Sequence, residues 1–90
     1  NRRKAVDHLL KLINKTHPAD MAWVLRHLTP EERQNVFTIV AQTDLVGEII
    51  SELDPSLMLE LVEDLTPKFM VTVIQKMASD DAADLLEALP

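Results

Sequence analysis

Four carboxylates near the end of the 90-residue chain are the residues best placed to do chemistry: Asp80, Asp81, Asp84 and Glu87. At about 100° per residue on a helix, Asp80, Asp84 and Glu87 (i, i+4, i+7) share one face, with Asp81 on its flank. Ala82, Leu85, Leu86 and Leu89 fall on the other side as the expected core face. A hard cation such as Mg²⁺ suits an acidic face of this kind, because it keeps several waters and takes only one or two carboxylates from a given surface. The same acids also suit a solvated helix start. Asp80 and Asp81 would sit at the positive end of the helix dipole, which offsets part of the repulsion between like charges one turn apart. Spacing alone leaves both readings open.

The remaining polar residues assemble no reaction centre. His8, His17 and His27 lack the i, i+4 spacing of a metal pair, and with no cysteine in the chain a thiolate zinc set is excluded. His17 precedes Pro18 and reads as a helix cap. Ser51, Ser56 and Ser79 lack a Gly-x-Ser-x-Gly setting, and Ser79 reads as a cap. Glu31/Glu32 and Glu63/Asp64 are adjacent acids on expected exposed faces, without the apolar burial that tunes a general acid. Met21, Met58, Met70 and Met77 stand at core-like spacings and read as packing. Trp23 reads as core, with an interface anchor as the alternative. The chain is not expected to be an enzyme.

Elements to hold these residues follow from composition. Apolar residues make up 47% of the chain, yet only Trp23, Phe37 and Phe69 are aromatic, so the core is aliphatic and suited to helix packing. A single glycine, Gly47, leaves little material for hairpins or phosphate loops. No apolar run is long enough to span a bilayer. The chain does not begin with Met and reads as a fragment of a longer protein.

Charge is unevenly spread. Residues 1–15 carry Arg2, Arg3, Lys4, Lys11 and Lys15 against Asp7, a balance of +4, while residues 44–90 set eleven acids against Lys68 and Lys76, a balance of −9. The acidic part repels nucleic acid and attracts cations or a basic partner. The basic start can touch a membrane surface or an acidic partner, or serve as a connecting helix.

A beat of about twelve residues sets the fold. Apolar residues close successive segments at Leu28, Val40, Leu53, Leu65, Met77 and Leu89. Joints follow at Thr29-Pro30, Asp54-Pro55, Thr66-Pro67 and Ser79-Asp80, each a capping residue followed by a helix-starting one. Thr29-Pro30-Glu31-Glu32 adds a capping box. The expected helices run over 2–14, 18–28, 30–41, 44–53, 55–65, 67–78 and 80–89, the fourth starting near Thr43-Asp44 without a proline. Val6, Leu9, Leu10 and Ile13 make the first amphipathic. Helices of about ten residues are marginal alone, so each must stack on its neighbours. The expected architecture is all-α: a right-handed superhelix of about six short helices, of HEAT or armadillo type, preceded by one amphipathic helix. Residues 1–15 form a connecting helix and 16–90 the superhelical domain.

From about His17 to Pro90 the chain resembles the cytosolic N-terminal domain of MgtE-type magnesium transporters. The resemblance rests on His17-Pro18-Ala19-Asp20-Met21-Ala22, on the repeated Leu-Thr/Asp-Pro joints, and on Met77-Ala78-Ser79-Asp80-Asp81-Ala82-Ala83-Asp84-Leu85-Leu86. The last string is similar to the family's Met-x-x-Asp-Asp-x-Ala-Asp-Leu-Leu signature. The resemblance implies a regulatory domain on the cytoplasmic side of the inner membrane, followed by CBS domains and a membrane channel in a homodimeric full-length protein. It implies Mg²⁺ bound between this domain and the CBS domains, favouring a compact, closed state. Asp80 and Asp84 match the family's metal-contacting aspartates, and Asp81 is a weaker candidate. The membrane would be reached only through a transmembrane domain outside this chain. A similar superhelical unit in flagellar motor-switch scaffolds and soluble CBS-containing proteins implies the alternative, an interaction module with no metal role.

Overall fold

A computed structural model describes residues 2–89. Pro90, which ends the last unit of the sequence pattern, lies outside the described residues. Seven helices follow one another with no strand among the described residues: α1 (Arg2–Lys15), α2 (Pro18–His27), α3 (Pro30–Val40), α4 (Val46–Ser51), α5 (Pro55–Glu63), α6 (Pro67–Lys76) and α7 (Ser79–Ala88). A longer first helix followed by six short ones is the element order expected from the beat.

The joints work as the sequence chemistry requires. Each of α2, α3, α5 and α6 opens on a proline, where the missing N–H has no intrahelical partner to lose. The preceding residue is extended and caps the first turn. His17 Nδ1 accepts from Ala19 N at 3.1 Å, Thr29 Oγ1 from Glu32 N at 3.3 Å, Asp54 Oδ1 from Leu57 N at 3.3 Å, and Thr66 Oγ1 from Phe69 N at 3.4 Å. Thr29 N donates back to Glu32 Oε1 at 3.1 Å, completing the capping box.

Two joints differ from expectation. Ser79 does not cap α7: the N-cap is Ala78, which has no side chain to offer, and Ser79 is already in the first turn. The expected helix over 44–53 shrinks to six residues, because Gln42 to Leu45 form turns and Leu45 at the N-cap makes no side-chain cap bond. Without a proline or a working cap, nothing local fixes an earlier start.

Short helices gain stability by stacking on alternate neighbours. The main contacts join α1 to α3, α2 to α4, α4 to α6 and α5 to α7, with α2 also against α3. This alternation fits a superhelix, and the chain extends 39 Å along its long axis by 24 Å across. The beat residues point inward: Val40 is fully buried, and Leu53, Leu65 and Met77 are buried. Leu28 and Leu89 pack against the core. Phe37, Leu25, Ile49, Ile50, Leu61 and Leu85 fill the interior between them. At about 25 cal/mol per Å² of apolar area removed from water, this cluster is the main favourable term. Met21 and Met77 are buried and Met58 and Met70 pack on the core, as their spacing indicated.

Polar ties bind successive layers. Arg33 on α3 reaches back to the end of α2, donating through Nε to the Leu25 carbonyl at 2.7 Å and through Nη2 to the Leu28 carbonyl at 3.0 Å. Carbonyls of a last helical turn are short of donors, and the guanidinium supplements the long 3.4 Å bond from Leu28 N to the Leu25 carbonyl while serving the Leu28 carbonyl itself. Lys76 at the end of α6 donates to the Thr43 carbonyl at 3.0 Å and pairs with Asp44 at 3.7 Å. Buried Thr43 turns its hydroxyl onto the Val40 carbonyl at 2.8 Å.

Candidate functional site

The acidic stripe lies on α7, whose inner side is held by Leu85. Leu85 is fully buried, and Ala82 and Leu89 pack against the core. With that side fixed towards α5, helical periodicity turns Asp80, Asp84 and Glu87 outward, and all three are exposed. Asp81 is half-buried on the flank. Leu86, expected on the core face, is 56% exposed. The main packing partner of α7 is α5, so its apolar face is covered on one side and Leu86 lies beyond that cover.

Along the stripe Asp80 Oδ1 accepts a local bond from Asp81 N at 3.1 Å. Among the described residues no Lys, Arg or His makes an ion pair with Asp80, Asp84 or Glu87. Nor do three or more His, Cys, Asp or Glu side chains come close enough to hold a metal ion. The chemistry available is that of an outward row of carboxylates. Asp80 and Asp84, one turn apart, fit the one or two carboxylates that Mg²⁺ takes from a single surface while keeping much of its water. The other ligands of a full site would have to come from a facing surface.

Trp23 corrects a second expectation. It is 55% exposed and stacks on His27, with ring centroids 4.1 Å apart and planes inclined by 28°. The His27 ring also meets the Trp23 carbonyl, Nδ1 to O at 2.8 Å. The inward residues of α2 are Met21, Ala22 and Leu25. A wheel through those three places Trp23 nearly opposite, so the sequence held the signal and the large apolar ring outweighed it. The core reading does not hold: Trp23 lies on the surface. Arg33 was missed altogether, because its acceptors belong to the preceding helix and no local spacing announces them.

Three hollows of about 280, 430 and 300 Å³ open on the surface, beside Asn14 and Thr43, beside Val6 and Thr38, and beside His17 and Glu52 respectively. None of these three is lined by α7. No helix among the described residues is long and apolar enough to cross a membrane.

No curated protein and no solved structure is matched by this chain. A family model does match, and it begins where α1 ends. Over residues 16–90, which include every helix from α2 to α7 and the acidic stripe, the chain matches the MgtE intracellular N domain and belongs to that family.

Proposed function

We propose that this chain is the cytosolic regulatory domain of a magnesium transporter and acts without catalysis. Family membership supports the coarse assignment, an intracellular domain of MgtE type. The observation that carries the finer one is the outward row of Asp80, Asp84 and Glu87, which has no cation to neutralise it within the described residues. Asp80 and Asp84 would hold Mg²⁺, with Asp81 beside them, and the remaining ligands would come from a CBS domain of the same chain. The bound ion supplies positive charge between two acidic surfaces. It favours their docking only to the extent that it binds the docked state better than the separated one.

Protease protection of the full-length protein tests this reading. Mg²⁺ slows cleavage between the N domain and its neighbour in the wild type, and Asp80→Asn with Asp84→Asn weakens that protection. Equal protection in the double variant would remove the site assignment.

A second reading has its own observation. The exposed Trp23–His27 stack is the kind of aromatic anchor that protein interfaces use, and it favours an interaction scaffold with no metal role. That reading expects a partner complex indifferent to millimolar Mg²⁺ and to chelator.

A further inference from the structure

The basic first helix lies outside the residues matched to the family and is not absorbed by the magnesium reading. Lys4, His8, Lys11 and Lys15 recur at i, i+4, i+7, i+11, which places them in one line along α1. All four are exposed. On the opposite side Ile13 is fully buried and Leu9 packs on the core, and α1 lies against α3. The helix is therefore fixed to the body by its apolar side, and its cationic side is held outward. Leu12, beside Lys11 and 49% exposed, adds an apolar side chain at the edge of the line.

We propose that this face of α1 docks the chain on an anionic lipid surface. From Lys4 to Lys15 the line runs about 17 Å along the helix, which suits a planar array of headgroups. The exposed leucine has a use at the headgroup boundary and none against a phosphodiester backbone, which favours lipid over nucleic acid. Asp7 is the one acid on α1, and Asp44 in the following turn region is ion-paired with Lys76. The −9 balance of residues 44–90 does not forbid docking. At physiological salt, charges act over about 8 Å, while the chain is 39 Å long. The acidic remainder instead selects α1 as the side that approaches. This inference stands apart from magnesium binding and survives or fails without it.

The test is co-sedimentation of the 90-residue chain with phosphatidylcholine vesicles, with and without phosphatidylserine. Binding is expected only with phosphatidylserine and is expected to fall as salt rises. Lys11→Ala with Lys15→Ala lowers the partition coefficient about 25-fold, from about fivefold per lysine at an anionic surface. Lys11→Arg with Lys15→Arg, which keeps both charges, retains it. Circular dichroism checks that these exposed positions leave the fold intact. Failure to bind phosphatidylserine vesicles at low salt, equal binding to both vesicle types, or undiminished binding of the alanine pair overturns the proposal.

Discussion

The α-carbon of Gly47 on α4 lies against the main-chain carbonyl of Lys76 at the end of α6, so that a Cβ at Gly47 would sit 2.8 Å from the Lys76 carbonyl carbon. The chain's one glycine is there for room and not for backbone freedom, since no glycine among the described residues has a positive φ. Alanine at this position gains up to about 1 kcal/mol of helix propensity. It must also push two backbones apart at a contact that Lys76 closes from the other side with its bond to Thr43. Overpacking costs about 1–3 kcal/mol, and with backbone as the obstacle the upper end applies, so Gly47→Ala is destabilising on balance. Urea unfolding should show a lower midpoint; an unchanged or higher midpoint would mean that α4 and α6 do not meet this closely.

Arg33 should behave as a structural tie, not as a surface charge. Its side chain is 14% exposed, and it donates to carbonyls of Leu25 and Leu28 while its Glu60 pair is longer, at 3.7 Å. Arg33→Met takes the guanidinium from both carbonyls, leaving Leu25 only the long Leu28 N–H bond of 3.4 Å, and should cost about 2–3 kcal/mol. Glu60→Gln, at the exposed end of a long pair, should cost less than about 1 kcal/mol. Comparable losses from the two substitutions would show that the ion pair, not the carbonyl bonds, holds α2 to α3.

The capping box gives a pH dependence with a definite sign. The backbone N–H and then the hydroxyl of Thr29 donate to Glu32 and hold its carboxyl below the ordinary value near 4.5, against a small opposing effect of burial. A depressed folded value means that the contribution is fully present above the unfolded value and is lost as pH falls through the folded one. Glu32→Gln should therefore lower the neutral plateau and flatten the acid limb by the same amount, leaving stability at low pH close to that of the wild type. An acid limb identical to that of the wild type would show that the box is not formed in solution.

Trp23→Ala separates the exposed placement from a core role. An exposed aromatic that stacks on one histidine should cost less than about 1 kcal/mol, whereas a buried tryptophan costs about 3–5 kcal/mol when truncated. Thermal unfolding decides between the two.

Much of the fold was legible because its signals are local. His17, Thr29, Asp54 and Thr66 each cap within three residues, and the prolines fix where the helices begin. The beat residues mark the interior because each ends a helix against its neighbour. Non-local facts were not legible. The reach of Arg33, the Gly47–Lys76 approach and the uncovered side of Leu86 all depend on which helix lies beside which. Trp23 failed for another reason: residue type was allowed to overrule a wheel that already placed it outside. At the candidate site, the outward face of Asp80, Asp84 and Glu87 followed from periodicity, whereas the missing cap at Ser79 did not.

The central claim is that Asp80 and Asp84 hold Mg²⁺ at a docking surface. Small-angle scattering from the full cytosolic region of the parent protein, followed as Mg²⁺ is raised, measures it directly. A compaction midpoint shifted about tenfold or more to higher Mg²⁺ by Asp80→Asn with Asp84→Asn is the predicted result, equivalent to about 1.4 kcal/mol. Glu31→Gln with Glu63→Gln removes the same charge elsewhere and should leave the midpoint in place. A midpoint unchanged by the aspartate pair, or shifted equally by both pairs, would contradict the account.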